Sequence, residues 1–161
     1  MSDTAFVRQA ILKDALELAP KIRKSDREEI RASNNSTPLK ALVEAFTLEN
    51  SKIYSVIRTE DNSVIGMFGS APCADPDYGV AWMLSSEDLF KHTKQFIKEC
   101  PHWINEMGEG YKYLYNFVDK RNWKSLKWLQ YLKFEPKTEI GDYGFEKIPF
   151  LLMMKEVDNN V

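Results

Sequence analysis

Few residues in this chain announce chemistry by type and spacing. His92, His102, Cys73 and Cys100 are zinc-ligand types, but no pair has the two-residue or four-residue helical spacing of a metal site, so no metal is expected. There is no Gly-x-Ser-x-Gly elbow and no P-loop, and neither cysteine has a base in a suggestive local context. Glu106 and Asp119 are acid or base types that spacing alone does not separate from surface carboxylates, so no catalytic residue is nominated. Two stretches remain. Ser85-Ser86-Glu87-Asp88 precedes an apolar-periodic segment and reads as a capping box, with a small-anion site as the rival reading. Lys120, Arg121, Lys124, Lys127, Lys133 and Lys137, interleaved with Trp123, Trp128 and Tyr131, have the types that grip phosphate or stack bases. Helical spacing puts Lys120, Lys124 and Lys127 on one exposed face and Trp128, Leu129 and Leu132 inward, which favours a solvated or protein-docking face over nucleic acid.

The elements that position these residues are read from periodicity. A strand is expected in the loosely alternating run at residues 5 to 11, then a helix bearing Ala15, Leu18, Ala19 and Ile22 that Pro20 kinks or splits. The charged run Lys21 to Arg31 reads as a solvated face. Thr37 caps a helix with Pro38 at its first position and Leu39, Leu42, Val43 and Phe46 as its stripe. From Lys52 the period falls to two, and Asp61-Asn62-Ser63 turns that strand into an antiparallel partner at Val64–Gly69. Tyr78–Leu84 is a third apolar strand. Next comes a helix that Pro101 ends or bends, with His102 to Met107 as a second short helix. Tyr113–Val118 is a strand, Asn122 opens a helix, and two strands flanking a Gly141-Asp142-Tyr143-Gly144 turn close the chain.

With 161 residues, 43% hydrophobic and a formal charge of −2, the composition is that of one ordinary globular domain, expected over 1–157 with a short polar tail at 158–161. No net cation excess drives it onto phosphate or lipid, no run spans a bilayer, and no secretory signal opens the sequence. Cys73 and Cys100 are expected to be reduced. The order of elements gives an α/β (α+β) fold, a mixed and mostly antiparallel sheet with helices on both faces.

That order resembles the GCN5-related N-acetyltransferase fold. Trp82-Met83-Leu84, Tyr115-Asn116-Phe117-Val118-Asp119, the helix from Asn122 to Leu129, Phe134 and the strand after Gly144 are more specifically similar to acetyltransferase-like virion assembly or internal virion proteins of short-tailed bacteriophages. The resemblance implies a cofactor turn at Leu84, Ser85 and Ser86, with Asn122 from the last helix as a further contact for acetyl-CoA. It also implies departures. The turn carries Glu87 and Asp88 where the fold has glycines, and Leu129 stands where active members often carry a tyrosine that protonates the leaving thiolate. The expectation is therefore a catalytically degenerate protein that docks on phage structural or core proteins, in the host cytoplasm and virion interior. The alternative is an active acetyl-CoA-dependent N-acetyltransferase, using backbone groups near Leu84 and Tyr115.

Overall fold

Side-chain alternation along the strands decides the architecture, because neighbouring residues such as Val56 and Ile57, or Met67 and Phe68, are buried in cores on opposite faces of one sheet. The computed structural model describes residues 4–157; the tail expected at 158–161 lies outside the described residues. The elements are β1 (Ala5–Gln9), α1 (Leu12–Leu18), α2 (Lys24–Asn34), α3 (Pro38–Ala45), β2 (Lys52–Arg58), β3 (Val64–Pro72), β4 (Tyr78–Ser85), α4 (Thr93–Gly108), β5 (Tyr113–Asp119), α5 (Trp123–Tyr131), β6 (Glu135–Tyr143) and β7 (Ile148–Glu156). The strands form a seven-stranded sheet in the order β1-β2-β3-β4-β5-β7-β6. Only β4 and β5 run parallel; every other neighbouring pair is antiparallel. This is the mixed sheet with helices on both faces that the order of elements implies.

On one face α4 and α5 bury Phe96, Cys100, Ile104, Met107 and Trp128 against Phe68, Ala81 and Met153. On the other, α1, α2 and α3 bury Ala15, Leu18, Ile30 and Leu42 against Ile57, Met67 and Leu84. At about 25 cal/mol per Å² of apolar surface these two cores supply the main driving force for folding. Among the described residues no helix is long and apolar enough to cross a membrane. Cys100 is buried in the α4 core and Cys73 lies in the β3–β4 loop, both as free thiols.

Some local expectations hold and others need correction. Pro20 does split the first helix, sitting in a short 3-10 turn, Ala19–Lys21, that separates α1 from α2, so that three helices precede β2. Thr37 does cap α3, accepting from the Lys40 N–H at 3.3 Å. Pro101 neither ends nor divides α4, which runs unbroken from Thr93 to Gly108. Proline in a helix interior costs about 3 kcal/mol, and here burial of Phe96, Cys100, Ile104 and Met107 along one stripe offsets it. The last hairpin turns later than expected: β6 continues through Tyr143 and the turn is residues 144–147.

That hairpin fastens α2. The N–H groups of Phe145 and Glu146 donate to the carbonyls of Ser33 and Ala32 at 3.1 and 2.9 Å, which supplies partners for groups at the helix end. Gly144 makes the approach possible. Its φ is +74°, and a Cβ there would lie 2.7 Å from the Ala32 carbonyl oxygen and 2.8 Å from Ser33 Cα. Gly144→Ala is therefore expected to destabilise the protein by roughly 1–3 kcal/mol through strain and overlap, read as a lower midpoint in urea. Gly141→Ala, with nothing within 4 Å of the added carbon, should leave that midpoint almost unchanged.

Candidate functional site

The site begins where two strands part. β4 and β5 are paired only through Tyr78–Val80 and Tyr113–Tyr115; beyond them the strands diverge and leave a wedge-shaped opening in the middle of the sheet. Backbone groups lining a wedge must find other partners. At the end of β4 they find them in α2 and the residue before it. The Ser85 carbonyl accepts from the Arg23 N–H at 2.9 Å, and the Ser85 N–H donates to Asp26 at 3.1 Å. Because backbone direction alternates along a strand, the N–H and C=O of Met83 face the same opening.

Arg23, Asp26 and Asn122 form the polar centre of this wedge, and each is buried, at 2–3% exposure. The Arg23 guanidinium donates to Asp26 at 2.7 and 3.3 Å. It also reaches across to α5, donating to Asn122 Oδ1 at 3.0 Å and Ser125 Oγ at 3.2 Å, and lies 4.9 Å from the centre of the Phe90 ring. The Asn122 amide donates back to Asp26 at 3.0 Å. Asp26 thus accepts from a cation, a backbone amide and a side-chain amide, which is the level of satisfaction a buried carboxylate requires.

Glu29, one turn further along α2, has a different environment. Its carboxyl accepts from the Asp119 N–H at 2.8 Å and from the Asn122 amide at 3.4 Å. Burial, followed by the nearby Asp26 carboxylate, pushes its pKa up to about 8, so near neutral pH it holds a proton that it can readily release. Asp119 does not share this role, since Arg121 grips it at 2.7 Å in an ion pair.

Two cavities meet at the wedge. On the α4–α5 side is a narrow, mainly apolar cavity of about 60 Å³, bounded by Phe96, Trp128 and Leu129. On the α2–α3 side lies an open groove of about 510 Å³, with Glu44, Tyr115 and Tyr143 along it. Glu29, Trp82, Met83 and Asn116 line both. Among the described residues the groove is bounded by two glutamates and by no lysine, arginine or histidine. Burial raises the pKa of the Tyr115 and Tyr143 hydroxyls, so both remain neutral hydrogen-bonding groups.

The sequence-nominated residues fall at or beside this wedge with altered roles. Leu84 packs into the α1–α3 core. Ser86 holds the N-cap position of the next turn but its side chain makes no cap: its hydroxyl donates to the Ile65 carbonyl at 2.9 Å and its N–H bonds the same oxygen at 3.0 Å. The next residues, Glu87–His92, form a 3-10 stretch. Ser85 is fully buried and its hydroxyl has no partner among the described residues. Asn122 precedes α5 but makes no side-chain cap, because Arg23, Asp26 and Glu29 claim its amide. Glu87 and Asp88 are offset by cations, Glu87 by Lys124 at 3.9 Å and Asp88 by Lys91 and Arg58 at 3.2 and 3.4 Å. Leu129 and Phe134 lie on the cavity side, and Tyr131 is 62% exposed on the far side of α5. Glu106 is also away from the wedge, where it accepts from the Tyr54 hydroxyl at 3.2 Å. Among the described residues no group of three or more His, Cys, Asp or Glu side chains could hold a metal.

Lys21 to Arg31 is a solvated face only in part: Lys21, Lys24, Arg27 and Arg31 are exposed, but Arg23 and Asp26 are buried and Glu29 half-buried, and the charge of the run hides these three. A signal is nevertheless present: Ile22, Asp26 and Ile30 recur every four residues, which places a carboxylate in the middle of an apolar helix stripe. A charge in that position needs a buried partner.

No family model and no curated protein matches the chain. Solved structures do match it over nearly its whole length. A GCN5-related N-acetyltransferase from Kribbella flavida aligns with a TM-score of 0.71 at 18% identity, covering 96% of this chain and 98% of that one. The ribosomal-protein-S5-alanine acetyltransferase from Vibrio fischeri aligns at 0.69 and 19% identity, covering 99% and 96%. A putative acetyltransferase from Salmonella typhimurium, solved with its cofactor acetyl-CoA, aligns at 0.70 and 14%, covering 98% and 96%. With its mixed sheet parting between β4 and β5, the chain has the GCN5-related N-acetyltransferase fold.

Proposed function

We propose that the protein is an acetyl-CoA-dependent N-acetyltransferase acting on a cationic amine. The observation that carries this reading is Glu29, a carboxyl with a pKa pushed up to about 8 at the place where the groove and the narrow cavity meet. An amine arrives at neutral pH as an ammonium ion and must lose a proton before it can attack an acyl carbon. A carboxylate poised near neutrality is suited to take it. The groove's two glutamates and its aromatic rings suit the incoming cation, and nothing basic in its lining repels it.

The opening also fits part of the cofactor. Ser85 offers a buried hydroxyl without a partner, and the Met83 backbone supplies a strand edge suited to the amides of an extended pantetheine arm. On this reading Met83 and Ser85 contact it, whereas Ser86 and Asn122 are already committed, Ser86 to the Ile65 carbonyl and Asn122 to Arg23, Asp26 and Glu29. When bound, acetyl-CoA supplies an activated thioester. Glu29 takes the amine proton, Tyr115 and Trp82 bound the acceptor, and the apolar walls at Phe96 and Leu129 exclude water.

Activity should therefore appear as thiol release from acetyl-CoA in the presence of simple aliphatic diamines. The rate should rise as pH passes through about 8, the value to which Glu29 is pushed. Glu29→Gln should lower kcat by about 10²–10⁴-fold. Absence of thiol release across a panel of amines would overturn the reading.

Glu29 makes a second, activity-independent prediction. Its folded pKa lies above that of an ordinary carboxyl, so between those values the folded chain holds a proton that the unfolded chain has lost. Stability must then fall as pH rises through that window. Glu29→Gln cannot ionise, so the variant should gain in urea midpoint relative to wild type on going from pH 5 to pH 9. An equal difference between the two proteins at both pH values would show that Glu29 is not perturbed.

A second reading is a catalytically silent protein, whose role would then be docking on other proteins as in phage virion assembly; two observations favour the silence. The Ser85 N–H is spent on Asp26 and its carbonyl on Arg23, and no tyrosine stands at Leu129. Calorimetry with acetyl-CoA separates the two readings. Micromolar binding by wild type supports the enzyme, whereas no heat at millimolar cofactor, with co-purification of phage capsid or core proteins, supports docking.

A further inference from the structure

The basic run singled out in the sequence divides in the fold. Lys120 and Lys124 are each engaged by a carboxylate, Glu139 at 2.8 Å and Glu87 at 3.9 Å. Lys127 and Lys133 have no ion pair among the described residues, and neither has Lys155, which β7 brings up from far along the chain. These three lysines converge on an open groove of about 840 Å³ on the outer side of α4 and α5. Ile104 and Leu132 separate it from the narrow cavity and line both, and it shares no residue with the groove on the α2–α3 side. Ile97 adds to its apolar floor, and Tyr131 stands at its border with 62% exposure.

Pro101 adds a further feature. It lines the same groove in the middle of α4, and having no N–H it cannot donate to the Ile97 carbonyl four residues earlier. The Ile97 carbonyl is therefore left without its usual helical donor. Three ammonium groups without an ion pair among the described residues, an apolar floor and an exposed tyrosine together describe a complement: negative charges around an apolar side chain.

We propose that the α4–α5 groove binds an extended acidic peptide segment of a partner protein, with its carboxylates on Lys127, Lys133 and Lys155 and an apolar side chain against Ile104 and Leu132. Peptide rather than nucleic acid is indicated by the apolar floor, which suits an apolar side chain set among carboxylates. The site does not depend on acetyl transfer and stands or falls separately from it.

The test is selection from a random twelve-residue peptide library on the immobilised full chain, followed by affinity measurement of the selected peptides by fluorescence anisotropy. Selected sequences should be rich in Asp and Glu around an apolar residue. Lys127→Glu combined with Lys133→Glu and Lys155→Glu should weaken them at least tenfold, and Tyr131→Ala should weaken them less. All four side chains are at least partly exposed, and an unchanged urea midpoint would confirm that the variants fold. Peptides without acidic enrichment, or binding that survives the triple charge reversal, would overturn the proposal. So would tighter binding of a fluorescein-labelled fifteen-residue oligothymidylate than of any selected peptide at the same salt concentration.

Discussion

When two parallel strands separate inside a sheet, each exposes backbone donors and acceptors that have lost their ladder partners, and a buried donor or acceptor left unmade costs about 1–3 kcal/mol. In this protein that cost falls at the ends of β4 and β5, and much of the remaining architecture can be understood as the response to it. The short 3-10 turn at Pro20 ends α1 and brings Ile22 alongside Ser86 in an isolated antiparallel bridge. Arg23 and Asp26 then bond both backbone groups of Ser85. The turn after β6 holds the opposite end of α2, so the helix that fills the wedge is fixed at both ends.

Filling a wedge with charged groups brings its own constraint. Moving an ion pair out of water costs several kcal/mol for each ion, recovered only with close geometry and further hydrogen bonds. Arg23 meets this with Asp26, Asn122 and Ser125, and Asp26 with Arg23, Ser85 and Asn122. Asn122 joins the two because an amide can donate to one carboxylate while accepting from the guanidinium. A residue that in sequence looks like a helix cap is thus committed to the sheet opening, and α5 begins without a side-chain cap.

The fold is legible in the sequence to a greater extent than the site. Alternation and helical spacing give the strands around the first hairpin, the Thr37 cap and the inward turn of Trp128, because those features depend on local geometry and on a two-sided apolar pattern. A break at Pro101 is a false signal because a local cost is weighed there without the tertiary burial that offsets it. Arg23, Asp26 and Glu29 escape a sequence reading for a related reason. Arg23 and Asp26 pair three residues apart, but the groups that hold them in the wedge lie about a hundred residues away, at Asn122 and Ser125, and no local rule reports a pairing over that separation. Ser85, expected in a turn after the third apolar strand, is the last residue of β4, and the partner of its N–H can be known only once α2 is placed.

The charge count at the wedge explains why Glu29, rather than Asp26 or Asp119, is the poised group. Arg23 pairs with Asp26 and Arg121 with Asp119, while Glu29 has hydrogen-bond donors but no cation among the described residues. A third, half-buried carboxyl with two anionic neighbours keeps its proton until a positive charge arrives. On the proposed reading that charge is the acceptor itself: an ammonium ion in the groove lowers the cost of ionising Glu29, so binding and deprotonation of the base favour one another. The absence of lysine, arginine and histidine from the groove lining is then part of the same arrangement, since a resident cation would ionise Glu29 permanently and remove its capacity to respond to the ligand.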